Sequence, residues 1–349
     1  MDASNIESFN AAAMEAVNAM PAPTWHRLRV NNEKIALPGG LEPSSDIEFE
    51  IDNIELGESG AFDSALSTFQ QKLDARNEGT VDTRTVVVAA AGNENPENLD
   101  IPALSSYQRK AVLEEIENSV SKAFETGMGT EAFAYLESVS DGHLVLVAPE
   151  KAVGSATVRI SAKDGMANAA CVDIVAAPHS NVSLTISFEG SSRGSGFAGC
   201  GLRVFAGVGA EVEVSSIQAL DGCWTVFDDS GYVLDDDAHV AVTHRVLGAD
   251  SASTGLSADL RGNQSRIDVV TRYLGAENQK RDFNYSIKQR GCLTESNLDA
   301  NGVLAGESKK TLRGTIDFVH GCKGSTGNER ETVLLADKNV VNKTVPVIL

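Results

Sequence analysis

The chain has 349 residues, 49 acidic against 29 basic side chains, and a formal net charge of −20. That balance argues against a surface built for nucleic acid or an anionic membrane, because few cations are left to neutralise phosphates. No apolar run approaches the ~20 residues that span a bilayer. The N-terminus carries Asp2, Glu7 and Glu15 and lacks the basic start and apolar stretch of a secretory signal. The five cysteines, Cys171, Cys200, Cys223, Cys292 and Cys322, are odd in number and widely spread, with no Cys-x-x-Cys among them. This is the usage of a reducing compartment, and it predicts a cytoplasmic protein.

Residues 4–20 read as an amphipathic helix. Ser4 and Glu7 form a capping box, and Ile6, Phe9, Ala13, Val17 and Met20 recur at helical spacing before Pro21 and Pro23 end the run. Trp25 at the exit reads as a packing plug. Residues 29–100 read as short strands and polar loops, with Val86-Val-Val-Ala-Ala as a buried strand. A second helix is predicted over 106–126, where Val112, Ile116, Val120 and Phe124 lie four apart and Gly127 and Gly129 close the end. Residues 130–138 predict a further short helix. Asp141-Gly142 signals a tight turn into His143-Leu-Val-Leu-Val. Beyond this point helical periodicity is absent. The chain divides into an N-terminal α/β, helix-containing domain over 1–150 and a β domain over 151–349.

Within the β domain, Val214, Val242 and Val270 are spaced 28 apart and open similar phrases, with a weaker copy at Leu298. A fixed period of this size marks stacked supersecondary units. Glu211-Val-Glu-Val-Ser, His239-Val-Ala-Val-Thr and Ile267-Asp-Val-Val-Thr alternate apolar and polar residues, one face inward and one wet. Strands recurring without intervening helices favour a β-solenoid over a sheet with crossover helices.

Several motifs suggest chemistry. Gly194-Ser-Gly-Phe-Ala-Gly199 matches a dinucleotide fingerprint, and Gly190-Ser-Ser-Arg-Gly194 matches a nucleophile elbow. Both need a helix directly afterwards, and Gly201-Leu-Arg-Val-Phe reads as strand. These glycines are better explained as turning loops between coils. Asp228-Asp229 and Asp235-Asp-Asp237 crowd five carboxylates within ten residues. They could supply the acid and base of a secreted β-helical polysaccharide lyase or hydrolase, but solvated turns explain them more simply. His239 and His244, five apart on a strand, face opposite sides. His320 and Cys322, two apart, would share a strand face and are competent soft-metal ligands.

The C-terminal run Arg313-Gly-Thr-Ile-Asp-Phe-Val-His-Gly-Cys-Lys-Gly-Ser-Thr-Gly-Asn-Glu-Arg-Glu331, followed by Thr332-Val-Leu-Leu-Ala-Asp, resembles the core of the SufB/SufD family. These are scaffold proteins of the SUF iron–sulfur cluster assembly system. Asp282-Phe-Asn-Tyr-Ser286, Thr294-Glu-Ser-Asn297, Ala132-Phe-Ala-Tyr-Leu-Glu-Ser-Val-Ser-Asp-Gly142 and Val147-Ala-Pro-Glu-Lys151 also look like that family. Met20-Pro-Ala-Pro-Thr-Trp25 looks like its SufD side.

The resemblance implies a right-handed parallel β-helix core behind a helical N-terminal domain. It implies a non-catalytic subunit that pairs with a SufB-like paralogue through β-helix strands and with the ABC-type ATPase SufC through C-terminal helices. ATP hydrolysis belongs to SufC, and no Walker motif is present here. The cluster would be transient cargo of the complex, with no cofactor held stably by this chain. SufB carries a functional cysteine just ahead of the stretch matching Glu331-Thr-Val-Leu-Leu, whereas this chain has Asn328, Glu329 and Arg330. That favours the SufD side. The family continues beyond Val345-Pro-Val-Ile-Leu349 into a histidine-containing motif and the SufC-binding helices, which predicts that the sequence is a truncated form. The partner surface is expected on strands over 332–349, at Val333, Leu335, Val340, Val345, Val347 and Leu349, by sheet-edge pairing. His320 and Cys322 are the candidate metal ligands.

Overall fold

The computed structural model describes residues 42–43, 47–55, 85–89, 125–148, 151, 153–190 and 194–349. The helices predicted over 4–20 and 106–126, and Trp25, lie outside the described residues, apart from Glu125 and Thr126, which are not helical. The first strands are β1 (Glu42–Pro43), β2 (Ile47–Glu55) and β3 (Thr85–Ala89), followed by helix α1 (Thr130–Val139). The solenoid strands follow: β4 (Ser140–Ala148), β5 (Val153–Ala162), β6 (Met166–Ala176), β7 (Asn181–Gly190), β8 (Gly194–Ala206), β9 (Glu211–Gln218) and β10 (Gly222–Leu234). Next come β11 (His239–Val246), β12 (Ser251–Leu260), β13 (Arg266–Gly275), β14 (Lys280–Gln289), β15 (Glu295–Leu304), β16 (Lys309–Phe318), β17 (Thr326–Leu335) and β18 (Val341–Ile348).

From β4 onward, even and odd strands separate into two sheets. A 10-stranded sheet runs β18-β16-β14-β12-β10-β8-β6-β4-β3, with β1 beside β6, and an 8-stranded sheet runs β17-β15-β13-β11-β9-β7-β5-β2. Every pairing is parallel except that of β2 with β5. This is a parallel β-solenoid of about seven turns, as the repeat predicts. Asp141-Gly142 is a difference from expectation: it makes no hairpin turn and lies inside β4, where the register against β6 shifts between Ser140 and Gly142.

Inward side chains on the two sheets meet in one apolar core that includes Val182, Val212, Val240, Ile267, Val226, Leu256 and Ile287. The alternation in β9, β11 and β13 places every second residue there. The register corrects the 28-residue ladder at one rung. Val214 pairs with Val242, but Val242 pairs with Val269 and Val269 with Leu298. Val269 is buried and Val270 only half-buried. A slip of one residue turns a side chain to the other face, so the coil shortens by one to keep the core valine inward. The corners absorb the difference. Each turn leading into an odd solenoid strand from β7 onward carries a residue of positive φ: His179, Gly209, Asp237, Gln264, Leu293 and Gly324. Successive corners are joined by backbone bonds, Gly209 N to Asp236 O and Asp237 N to Asn263 O, each 2.8 Å.

The outer face of the wider sheet is covered by α1. Ala132 and Leu136 pack with Ala167, Ala169, Phe197 and Phe227, and Tyr135 meets Phe197 edge-on at 5.1 Å. The glycines of the supposed nucleotide fingerprint serve this packing. A Cβ on Gly199 would come within 2.4 Å of Leu136 Cδ2, and one on Gly194 within 2.4 Å of Trp224 Cζ2. Both belong to β8, so they are strand residues and not a turning loop. Residues 191–193 lie outside the described set. Beneath α1 the buried Arg203 bridges Asp173, at 2.6 Å, and Glu137, at 3.4 Å, and lies over the Phe133 ring. Among the described residues no helix is long and apolar enough to cross a membrane.

Candidate functional site

The last coil differs from those before it. Among the described residues β17 pairs with β15 and β18 with β16. Two of the coil's inward residues are carboxylates. Glu331 stacks on Ala300 and Glu329 on Leu298. The Lys310 ammonium is fully buried and ion-paired with Glu331. Tyr273 donates its hydroxyl to Glu331 Oε1 at 2.9 Å, and Thr344 donates to Oε2 at 2.5 Å. Lys310 also donates to Asn342 Oδ1 at 2.9 Å. Burial lowers the lysine's pKa against the opposing pull of Glu331 and Glu329. Burial, with the Glu331 charge second, raises that of Glu329. Both Glu329 carboxylate oxygens are buried without a hydrogen bond. Gly314 faces them: a Cβ there would lie 2.4 Å from Glu329 Oε1.

The six apolar positions expected at the partner surface all belong to this coil, but they do not form one patch. Val333 and Val340 pack against the core. Val345 and Val347 stand beside Arg313 and Thr315, on the opposite face of the sheet from Leu312 and Ile316. Leu335 and Leu349 are exposed. What they share is the last described coil. Its two halves are unequal, because amide N–H groups of a strand alternate in direction. In β18, Val341 and Leu349 donate back to Ser308 and Ile316. Alternation therefore aims position 346 outward, where Pro346 has no N–H to offer. In β17, Thr326 and Ala336 donate back to Thr294 and Leu304, so Gly327, Glu329, Glu331, Val333 and Leu335 present an unbroken row of outward donors.

His320 and Cys322 sit in the corner between β16 and β17, where His320 is exposed and Cys322 half-buried. This corner is a turn, so the strand-face argument for the pair does not apply. The stacking of corners brings a third residue close: Cys292 donates its thiol to Gly321 O at 3.6 Å. Cys292 and Cys322 are 30 residues apart, about one coil, and that spacing was the available sequence signal. Among the described residues no group of three or more His, Cys, Asp or Glu side chains is arranged to hold a metal ion.

The acidic stretch splits in two. Asp236 and Asp237 are exposed at a corner, where Asp236 Oδ1 accepts the Asn263 N–H at 2.6 Å, as a solvated turn predicts. Asp228 and Asp229 are not in a turn. They lie within β10 and are 5 % and 0 % exposed. Strand alternation sends them to opposite faces, so they cannot work as a pair on one sugar, and the carbohydrate-cleaving reading is not favoured. Asp229 points outward under the segment before α1 and accepts the Met128 N–H at 2.7 Å. Burial pushes its pKa up to about 7. Asp228 points inward and accepts from Ser216 Oγ at 2.5 Å.

His244 is also inward, 1 % exposed, while His239 lies on the outer face 2.9 Å from Asp268. The two therefore face opposite ways, as their spacing predicts. His244 stacks on Tyr285, with ring centroids 5.9 Å apart, and its Nδ1 lies 3.3 Å from the Tyr285 hydroxyl. Burial lowers its pKa, and the Asp228 charge partly offsets this. Register could have found this cluster, since Cys200 stacks on Asp228 and Ser216 on His244, each 28 residues apart.

The arrangement is that of a rigid strand scaffold with a packed interior. A family model described as SUF system FeS cluster assembly, SufBD core domain, matches residues 158–349, more than half of the chain and the whole solenoid from within β5 onward. No curated protein matches the chain. The protein thus belongs to the SufBD core family of the SUF system and takes part in FeS cluster assembly.

Proposed function

We propose that this protein is a non-catalytic scaffold subunit of the SUF assembly complex, on the SufD side of the family. It pairs through its last coil with a SufB-like paralogue and works alongside a SufC-like ATPase in the cytoplasm. The iron–sulfur cluster is cargo of the complex. The observation that carries this reading is the family match over residues 158–349, which spans the solenoid from within β5 onward, and the outward amides of β17 from Gly327 to Leu335 offer main-chain donors for a further strand. Strand addition at such an edge gives main-chain hydrogen bonds without a large apolar patch, which suits the dispersed valines of this coil. The SufD assignment rests on Asn328, Glu329 and Arg330, where a thiol able to accept sulfur would be needed on the SufB side. The test is anaerobic affinity purification of the tagged chain from its native host. Recovery of a second β-helix subunit, lost on Leu335→Pro, supports the reading. Recovery of neither that subunit nor an ABC ATPase overturns it.

A further inference from the structure

Successive corners on one flank of the solenoid are tied together by a repeated side-chain clasp. Asp236, Asn263 and Cys292 each stand immediately before a corner residue of positive φ, at Asp237, Gln264 and Leu293. Asp236 Oδ1 accepts the Asn263 N–H at 2.6 Å, and Asn263 Oδ1 accepts the Cys292 N–H at 3.0 Å. The next amide in the series belongs to Lys323, just before Gly324, which also has positive φ. That amide donates to Gly321 O inside its own corner. The clasp therefore lapses at Cys292, whose thiol is a weak hydrogen-bonding group and turns to Gly321 O at 3.6 Å. A second thiol, Cys322, follows Gly321 directly.

Register sets the distance between the two cysteines. Leu293 donates its N–H to Lys323 O at 2.8 Å, so Leu293 stacks on Gly324, Cys292 on Lys323, and Cys322 lies one step along the chain. With stacked chains ~4.8 Å apart and consecutive Cα atoms ~3.8 Å apart, that diagonal is about 6 Å. Disulfides bridge Cα separations of roughly 4.4–6.8 Å. Both thiols are half-buried. Cys292 keeps its access with a corner stacked on either side of it, because a corner joins the two sheets on the flank of the solenoid and opens sideways. A further coil stacked on Cys322 would not close that side. The other cysteines do not compete: Cys171 and Cys200 are buried, and Cys223 sits at the far end of β10 from the corner at Asp236.

We propose that Cys292 and Cys322 form an oxidative modification site, at which a peroxide joins them in a disulfide that restores the lapsed clasp as a covalent one. One thiolate attacks a peroxide oxygen, the O–O bond breaks, and a sulfenic acid forms with release of one water. The second thiolate attacks the sulfenic sulfur, the S–S bond forms, and a second water leaves. With hydrogen peroxide, two thiols and one peroxide give one disulfide and two waters; the sulfurs lose two electrons, the peroxide gains them, and the thiol protons end in the waters. A reducing dithiol reverses the step. In a reducing compartment such a bond is transient, as a redox-responsive site requires. The closed loop from 292 to 322 spans about one coil and fixes the longer corner 319–325 to the corner 290–294 before it. The site requires neither a partner subunit nor a cluster.

The experiment treats the full, reduced chain with hydrogen peroxide in its native state, blocks the remaining thiols by alkylation and digests the product with trypsin in the absence of reductant. Cleavage after Arg290, Lys309, Arg313 and Lys323 releases peptides 291–309 and 314–323 with one cysteine each. Mass spectrometry should find these two joined, lighter than their sum by two hydrogens, and dithiothreitol should separate them. Linkage should be at least about tenfold slower in the urea-unfolded chain, where only random loop closure brings the thiols together. In Cys322→Ser, Cys292 should instead accumulate as a sulfenic acid that dimedone traps. Separate oxidation of Cys292 and Cys322 to sulfinic acids in the native chain overturns the proposal. So does linkage of either to Cys223, or linkage as fast in the unfolded chain as in the native one.

Discussion

Single residues in this protein are chosen by the face they occupy in a strand. Asp228 and Asp229 are neighbours in sequence and opposites in structure, one inside the solenoid and one under the segment before α1. Burial raises the Asp229 pKa to about 7, above the ~3.9 of an unfolded chain. The native state therefore holds this proton more tightly than the unfolded state. Its contribution is fully present below about pH 4 and is lost as pH rises toward 7. Each unit of upward shift corresponds to ~1.4 kcal/mol. Denaturant unfolding of Asp229→Asn across that window should show a flatter pH dependence than the parent, with the difference largest at neutral pH. Gly199 makes the second case. Any side chain there meets Leu136, so Gly199→Val should cost ~1–3 kcal/mol through overpacking, seen as a lower melting temperature.

Elements meet through a few buried groups. Helix α1 is held to β6 and β8 by its aromatic and aliphatic face and by Arg203, which hydrogen-bonds Asp173 and ion-pairs with Glu137. Removing one member of a buried ion cluster leaves the others uncompensated, at a cost of ~3–5 kcal/mol. Arg203→Met should therefore loosen α1 more than Phe133→Leu does. Cys171 reports it: this buried thiol, whose pKa is raised chiefly by burial, should become open to alkylation in Arg203→Met while remaining protected in the parent. The segment at Gly127 adds a close approach. Its Cβ would overlap the Leu256 backbone N, and Asn284 donates to its carbonyl at 2.6 Å.

At the scale of the molecule, the two strands of the last described coil, β17 and β18, differ in the amides they turn away from their neighbours. Natural sheets blunt their edges with proline or charge. Pro346 does this for β18, while β17 keeps its full row of amides. Leu335→Pro deletes a donor that faces away from β15 at an exposed side chain, so it should abolish partner pairing and shift the melting temperature little. Thr332→Pro deletes a donor inside the β15–β17 ladder and should lower both. Side-by-side pull-downs and thermal melts of the two variants separate edge pairing from simple loss of the coil.

Much of this architecture is legible in the residues. The alternation of Glu211 to Ser215 and its recurrence near 28 residues announce stacked strands, because inward positions of a strand must be apolar and a solenoid repeats them once per coil. The terminal helix at 130–138 and the opposed directions of His239 and His244 follow from the same periodicities. Coil length is less legible. Val269 replaces Val270 in the ladder because a corner is one residue shorter, and corners are set by local φ values that no apolar pattern encodes. Depth is harder still to read. An acidic pair looks alike in a turn and in a strand, and only the packing of the segment at Met128 makes Asp229 buried. The joining of Lys310 to Glu331, of Cys292 to the corner of His320 and Cys322, and of His244 to Tyr285 depends on register between coils about 20–40 residues apart. Local sequence carries periodicity, but which side chains touch is decided when the coils stack.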